Sequence, residues 1–219
     1  MKKIILFFLL ITALTGCGLN QNTSSNNGNG NKTESNAISS ATATGASTSG
    51  AENSKAVKKD DHLITAKQAL SAGEYAKAIE EATASIKNNA NNAEAYSVRG
   101  FATALNGDAA KGLTDTKKAY DLDSNNVANY YNMAMVYKLQ GQLNDSKQWF
   151  EKVLEKDPSN TWSVYGISTI YADQGDDTKA LDWLEKAIKI DPSVKAVAAE
   201  QDHFERFHNN ARFKTLVGL

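Results

Sequence analysis

Cysteine is nearly missing from this chain: Cys17 is the only one in 219 residues. One thiol excludes an intramolecular disulfide framework and any multi-cysteine zinc or iron–sulfur centre. Proline occurs twice and histidine three times. No charge predominates, since 24 Lys and Arg stand against 25 Asp and Glu for a formal net charge of −1. That balance excludes a strongly basic nucleic-acid binder, so no nucleic-acid partner is expected. Between Phe8 and Tyr75 there is no aromatic residue, which places any aromatic core in the C-terminal part. The longest apolar run, 4 to 14, is broken by Thr12 and followed by Thr15. It falls short of the roughly 20 residues that a membrane span needs. Gly-x-Ser-x-Gly, His-Glu-x-x-His, Walker and Rossmann patterns are also absent, so neither an enzyme nor a cofactor site is expected from motifs.

What is present at the N terminus is an address. Met1-Lys2-Lys3, the apolar run and the small residues after it have the three-part layout of a secretory signal peptide. Leu14-Thr15-Gly16-Cys17 then resembles the lipobox of bacterial lipoproteins. The resemblance implies that residues 1–16 are a signal peptide, and that Cys17 takes a diacylglyceryl group and becomes an acylated amino terminus. Two or three acyl chains hold a protein on a membrane where one anchors only marginally, at about 0.8 kcal/mol per buried CH₂. Cleavage removes Lys2 and Lys3, so the mature chain is more acidic and must rely on those acyl chains.

Residues 17–57 read as a tether. Positions 18 to 57 hold 8 Asn, 8 Ser, 5 Thr, 5 Gly and 6 Ala, with Leu19, Ile38 and Val57 the large apolar residues. Such a composition cannot offset its conformational entropy by burial and is expected to be disordered. Its root-mean-square span would be roughly 35 Å.

Beyond it, the chain repeats. Gly73, Gly107, Gly141 and Gly175 are spaced by 34 residues, as are Pro158 and Pro192. The apolar spacing is helical, as in Tyr130, Met133, Ala134 and Tyr137, or in Leu181, Leu184 and Ile188. Each unit therefore reads as two helices, the first ended by its glycine and the second by Asp-Pro or its equivalent. Neither helix buries its stripe alone, but stacked hairpins do.

This pattern resembles the tetratricopeptide repeat over 59–92, 93–126, 127–160 and 161–194. Unit three carries it best, with Tyr130, Ala134, Tyr137, Phe150 and Pro158 at the family's positions, and Ala78, Gly112, Ser146 and Ala180 take the small-residue position. The resemblance implies an all-α fold: a right-handed superhelical stack of helix-turn-helix repeats, an α-solenoid, over about 58–194. In unit one His62 and Thr65 stand where large apolar residues are usual, so its first helix is expected to fray. In unit two Arg99 takes a usually apolar position, its stem packing while the guanidinium reaches solvent or an acid. Residues 195–219 are too short for another unit and should cap the stack, with Phe204, Phe207, Phe213 and Leu216 as its aromatic and apolar closure.

For function, the resemblance implies a concave groove lined by the first helices that holds a partner segment. Carried onto this sequence, the groove residues are Lys67, Phe101, Tyr131, Met135, Lys138, Leu139, Trp162 and Tyr165, with Thr169 and Asp173 at further groove positions. The expected partner is another envelope protein, and the expected location the extracytoplasmic face of a bacterial membrane. Two other readings stay open: an enzyme or metal-dependent activity in the tail, where Glu200 with His203 and Glu205 with His208 have Glu-x-x-His spacing, and a self-associating structural protein.

Overall fold

The computed structural model describes residues 60–219. The signal peptide, Cys17 and the tether lie outside the described residues. The described part is helical throughout: α1 Asp61–Ser71, α2 Tyr75–Asn88, α3 Ala93–Leu105, α4 Ala109–Leu122, α5 Val127–Leu139, α6 Leu143–Lys156, α7 Thr161–Gln174 and α8 Asp177–Ile190. A short α9, Val194–Glu200, then leads through a 3₁₀ turn, Asp202–Phe207, to α10, Ala211–Val217. The first eight helices make four hairpins packed in sequence, which is a helical solenoid.

The repeated glycines set the hairpins. Gly73, Gly107, Gly141 and Gly175 have φ of 75, 104, 74 and 82°, a left-handed conformation that a Cβ would strain. Each first helix thereby stops in the same place, with the N–H beyond the glycine returning to a carbonyl in the helix, as Asp176 to Tyr171 at 3.0 Å. Starts are repeated too. Asn92, Asn126 and Asn160 cap α3, α5 and α7 with side-chain oxygens that accept from backbone N–H groups.

The first helix is not frayed as its polar sequence suggested. Asp60 caps it by accepting from Leu63 N at 3.0 Å. The same carboxylate accepts from Ser85 Oγ at 2.6 Å and Asn92 Nδ2 at 3.1 Å, and His62 meets Glu81 at 2.6 Å. Polar residues therefore tie α1 to α2 and to the next hairpin where apolar packing is thin.

The core runs along the stack. Leu70, Val98, Phe101 and Val136 are buried near its start. Ala134, Phe150, Ile167 and Ile170 follow. Val164, Leu181, Leu184, Val194, Phe204, Phe207 and Phe213 close the end. The tail is thus part of the core, with Asn210 capping α10 by accepting from Phe213 N at 3.1 Å.

Candidate functional site

Successive first helices touch one another directly, which aligns their faces. Lys67 of α1 pairs with Glu94 of α3 at 2.6 Å, Asn132 of α5 donates to Ser97 Oγ of α3 at 2.8 Å, and Lys138 of α5 donates to Thr169 of α7. On α5, Tyr131, Met135, Lys138 and Leu139 recur at helical spacing and so share a face. Trp162, Tyr165 and Thr169 do the same on α7.

The burial of these residues corrects three of the expected groove positions. Thr169 is 1% exposed, its hydroxyl donating to Gly166 O at 2.8 Å. Phe101 is 2% exposed and sits in the core with Leu70 and Val136, and Tyr165 is 4% exposed. Phe101 is enclosed in a cluster that draws Ala66, Ala69 and Leu70 from α1 and Val136 from α5. Beside it, α3 and α4 pack backbone to backbone at Gly100 and Gly112, where a Cβ on Gly100 would lie 2.7 Å from Gly112 O. Tyr165 is covered by the tail, its ring 6.0 Å from those of Phe204 and Trp162. None of the three side chains is free for a partner. The Tyr165 hydroxyl is buried without a hydrogen-bond partner, and burial pushes its pKa above the ordinary tyrosine value.

Tyr131, Met135, Leu139, Trp162 and Lys67 remain half-buried. The ring of Tyr131 stands edge-on to Phe150 at 5.7 Å, and loss of water raises the pKa of its phenol. Leu63 is half-buried as well, while Glu94 and Ala128 are exposed. Together they form a mostly apolar face with one ion pair near its beginning.

At its far end the tail adds a polar cluster that sequence spacing did not reveal. Lys138 Nζ lies 3.3 Å from His203 Nε2, and His203 Nδ1 lies 2.6 Å from Asp173 Oδ1. A neutral imidazole satisfies both contacts by donating from Nδ1 and accepting the ammonium proton at Nε2. Desolvation pushes the Lys138 pKa down to about 8, with nearby Asp173 opposing the fall. Arg206 holds the same turn, donating to Ala172 O at 2.7 Å and meeting Asp177 at 2.6 Å. His208 lies 3.1 Å from Ala199 O. Among the described residues, no group of three or more His, Cys, Asp or Glu could hold a metal ion.

Comparison with known families decides what this architecture is. Residues 127–160 and 163–194 each match the tetratricopeptide repeat, and residues 1–17 match the prokaryotic membrane lipoprotein lipid attachment site. The chain is a bacterial lipoprotein with tetratricopeptide repeats. Its first two hairpins lie outside those matches yet share their glycine spacing and turn geometry.

Solved structures share the fold of this tetratricopeptide lipoprotein. PilF of Pseudomonas aeruginosa is 14% identical with a TM-score of 0.60, over 72% of this chain and 72% of that one. MamA of Desulfovibrio magneticus, from residue 41 to its end, is 20% identical with a TM-score of 0.55, over 72% and 88%. YrrB, described as a repeat protein with an unusual peptide-binding site, is 15% identical with a TM-score of 0.51, over 71% and 80%. At these identities the likeness is one of fold. No curated protein matches the chain.

Proposed function

We propose that this lipoprotein is a scaffold that holds a segment of another envelope protein against its first helices, on the extracytoplasmic face of a bacterial membrane. The observation that carries this reading is the row of half-buried Leu63, Tyr131, Met135 and Trp162 on first helices packed directly against one another. Aromatic residues and Met are enriched in interface cores, and a few buried aromatics supply most of the binding energy in many complexes. The backbone beneath them is braced by capped helices and close helix contacts, so binding requires little ordering of the scaffold. The peptide-binding site named for YrrB supports the same use of the fold. Lipid on Cys17 and a polar tether would keep the groove near the membrane while leaving it free to search.

Site-specific photocrosslinking in the native envelope tests this. A photoreactive amino acid at exposed Ala128, in the first turn of α5, should give one discrete protein adduct, whereas the same group at exposed Gln148 on α6 should give none. An adduct from Gln148 alone would place the binding face on the second helices.

A further inference from the structure

The geometry points to Lys138 as a reactive amine that accepts an acyl group from an ester or thioester, with His203 as its proton acceptor and Asp173 as the group that orients the imidazole. Three side chains from α5, α7 and the tail meet in the order amine, imidazole, carboxylate, at 3.3 and 2.6 Å. A nucleophile within reach of a base that is itself held by a third group is the arrangement nucleophilic chemistry uses. Among the described residues Lys138 has no ion pair. Its nitrogen faces the hydroxyl of Thr169 and the ring nitrogen of His203, neither of which locks it as a cation. Asp173 on α7 is the charge that acts on it, and Arg206, in the same turn of the tail as His203, is engaged by Ala172 O and Asp177.

The cluster is also open to solvent, with His203 and Asp173 side chains 28% and 29% exposed. Met135 and Tyr131 lie one and two turns before Lys138 on the same helix face, so an acyl chain or aromatic ester would have an apolar surface to rest on. In the step itself, the Lys138 ammonium gives one proton to His203 Nε2 and its freed electron pair forms a bond to the acyl carbon. The carbon–oxygen or carbon–sulfur bond then breaks, and the leaving group departs with that electron pair. The second nitrogen proton goes to the leaving group or solvent, and an amide remains. Desolvation lowers the Lys138 pKa to about 8, so about a tenth of the amine is free at pH 7, far more than for an ordinary lysine. That gain outweighs the weaker intrinsic nucleophilicity of a less basic amine.

The test uses the full lipidated chain in detergent with p-nitrophenyl acetate, following acetylation residue by residue by mass spectrometry from pH 6 to 10. Lys138 should react about tenfold or more faster than exposed Lys118 at pH 7.5, with a rate that levels off above about pH 8. His203→Gln should slow Lys138 by about tenfold or more while the circular dichroism stays helical. If the cluster is only a clasp for the tail, the same substitution frees the amine and acetylation rises, which overturns the proposal. Should that variant lose its tail structure, the wild-type profile still decides. Lys138 reacting more slowly than Lys118 throughout, or titrating in the ordinary lysine range, would refute it.

Discussion

The rings of Tyr165 and Phe204 lie 6.0 Å apart, so a groove position of the fourth repeat is roofed by the protein's own tail. Phe204 also stacks on Phe213 at 5.7 Å and leans on Phe207 at 5.6 Å, and all three are buried. Deleting 203–219 should expose Tyr165 and the end of the core. Loss of a fully buried Phe costs about 3–5 kcal/mol, so Phe204→Ala alone should lower the melting temperature by several degrees. The deletion should also self-associate in sedimentation. An unchanged melting point in a monomeric deletion would show that the tail does not support the stack.

Close backbone contact makes a second, sharper prediction. A Cβ on Gly100 would sit 2.7 Å from Gly112 O and 2.9 Å from Thr116 N, both backbone atoms that cannot swing aside. Alanine favours helix over glycine by about 1 kcal/mol, yet Gly100→Ala should destabilise the domain by about 1–3 kcal/mol because overpacking wins. Urea titration followed by circular dichroism measures it, and a stabilised variant would contradict the close approach.

Much of this architecture was legible. The 34-residue glycine spacing identified the turns because only a left-handed residue closes them, and the Asp-Pro pairs identified the helix ends. Arg99 behaved as its long stem suggested, with its guanidinium forking onto Asp115 at 2.7 and 2.8 Å. Depth was not legible. Helical spacing says which face Phe101 and Tyr165 occupy, but burial of the first follows from the cluster that Leu70 of α1 and Val136 of α5 form around it. Burial of the second follows from the tail beyond Gln201, whose Phe204 comes onto Tyr165 of α7 from 39 positions along the chain. The Lys138 cluster depends on the same tail, with His203 lying 65 positions after Lys138. Polar capping of α1 was missed for a related reason, since Asp60 draws on Ser85 and Asn92 from later in the chain.

Binding and folding should separate on mutation. Tyr131 and Trp162 are half-buried, whereas Phe101 is enclosed. Tyr131→Ala with Trp162→Ala should keep the helical signal, lower the melting point only modestly and abolish the crosslink from Ala128, because central interface aromatics often contribute about 2 kcal/mol or more. Phe101→Ala should instead cost about 3–5 kcal/mol of stability. A double variant that still crosslinks at wild-type yield would move the binding face elsewhere.

Lys138 gives the stack a pH dependence whose sign follows from its pKa. Folding lowers that value from 10.5 to about 8 through desolvation. Between those limits the unfolded chain holds a proton that the folded chain has released, so stability rises with pH. The cost of the buried ammonium is fully present below about pH 8 and gone above about 10.5. Tyr131 and Tyr165 act oppositely at higher pH, since their raised values mean the folded chain keeps its phenol protons above 10 and loses stability there. Urea titrations of wild type and Lys138→Met should therefore be compared from pH 7 to 10. Removing the amine also removes its contacts with Thr169 and His203, which adds an offset whose size this comparison does not need. The decisive quantity is the change in the difference. Wild type should gain about 2 kcal/mol on the variant between pH 8 and 10. Parallel stability curves would mean that the Lys138 ammonium stays as well solvated in the folded protein as in the unfolded chain.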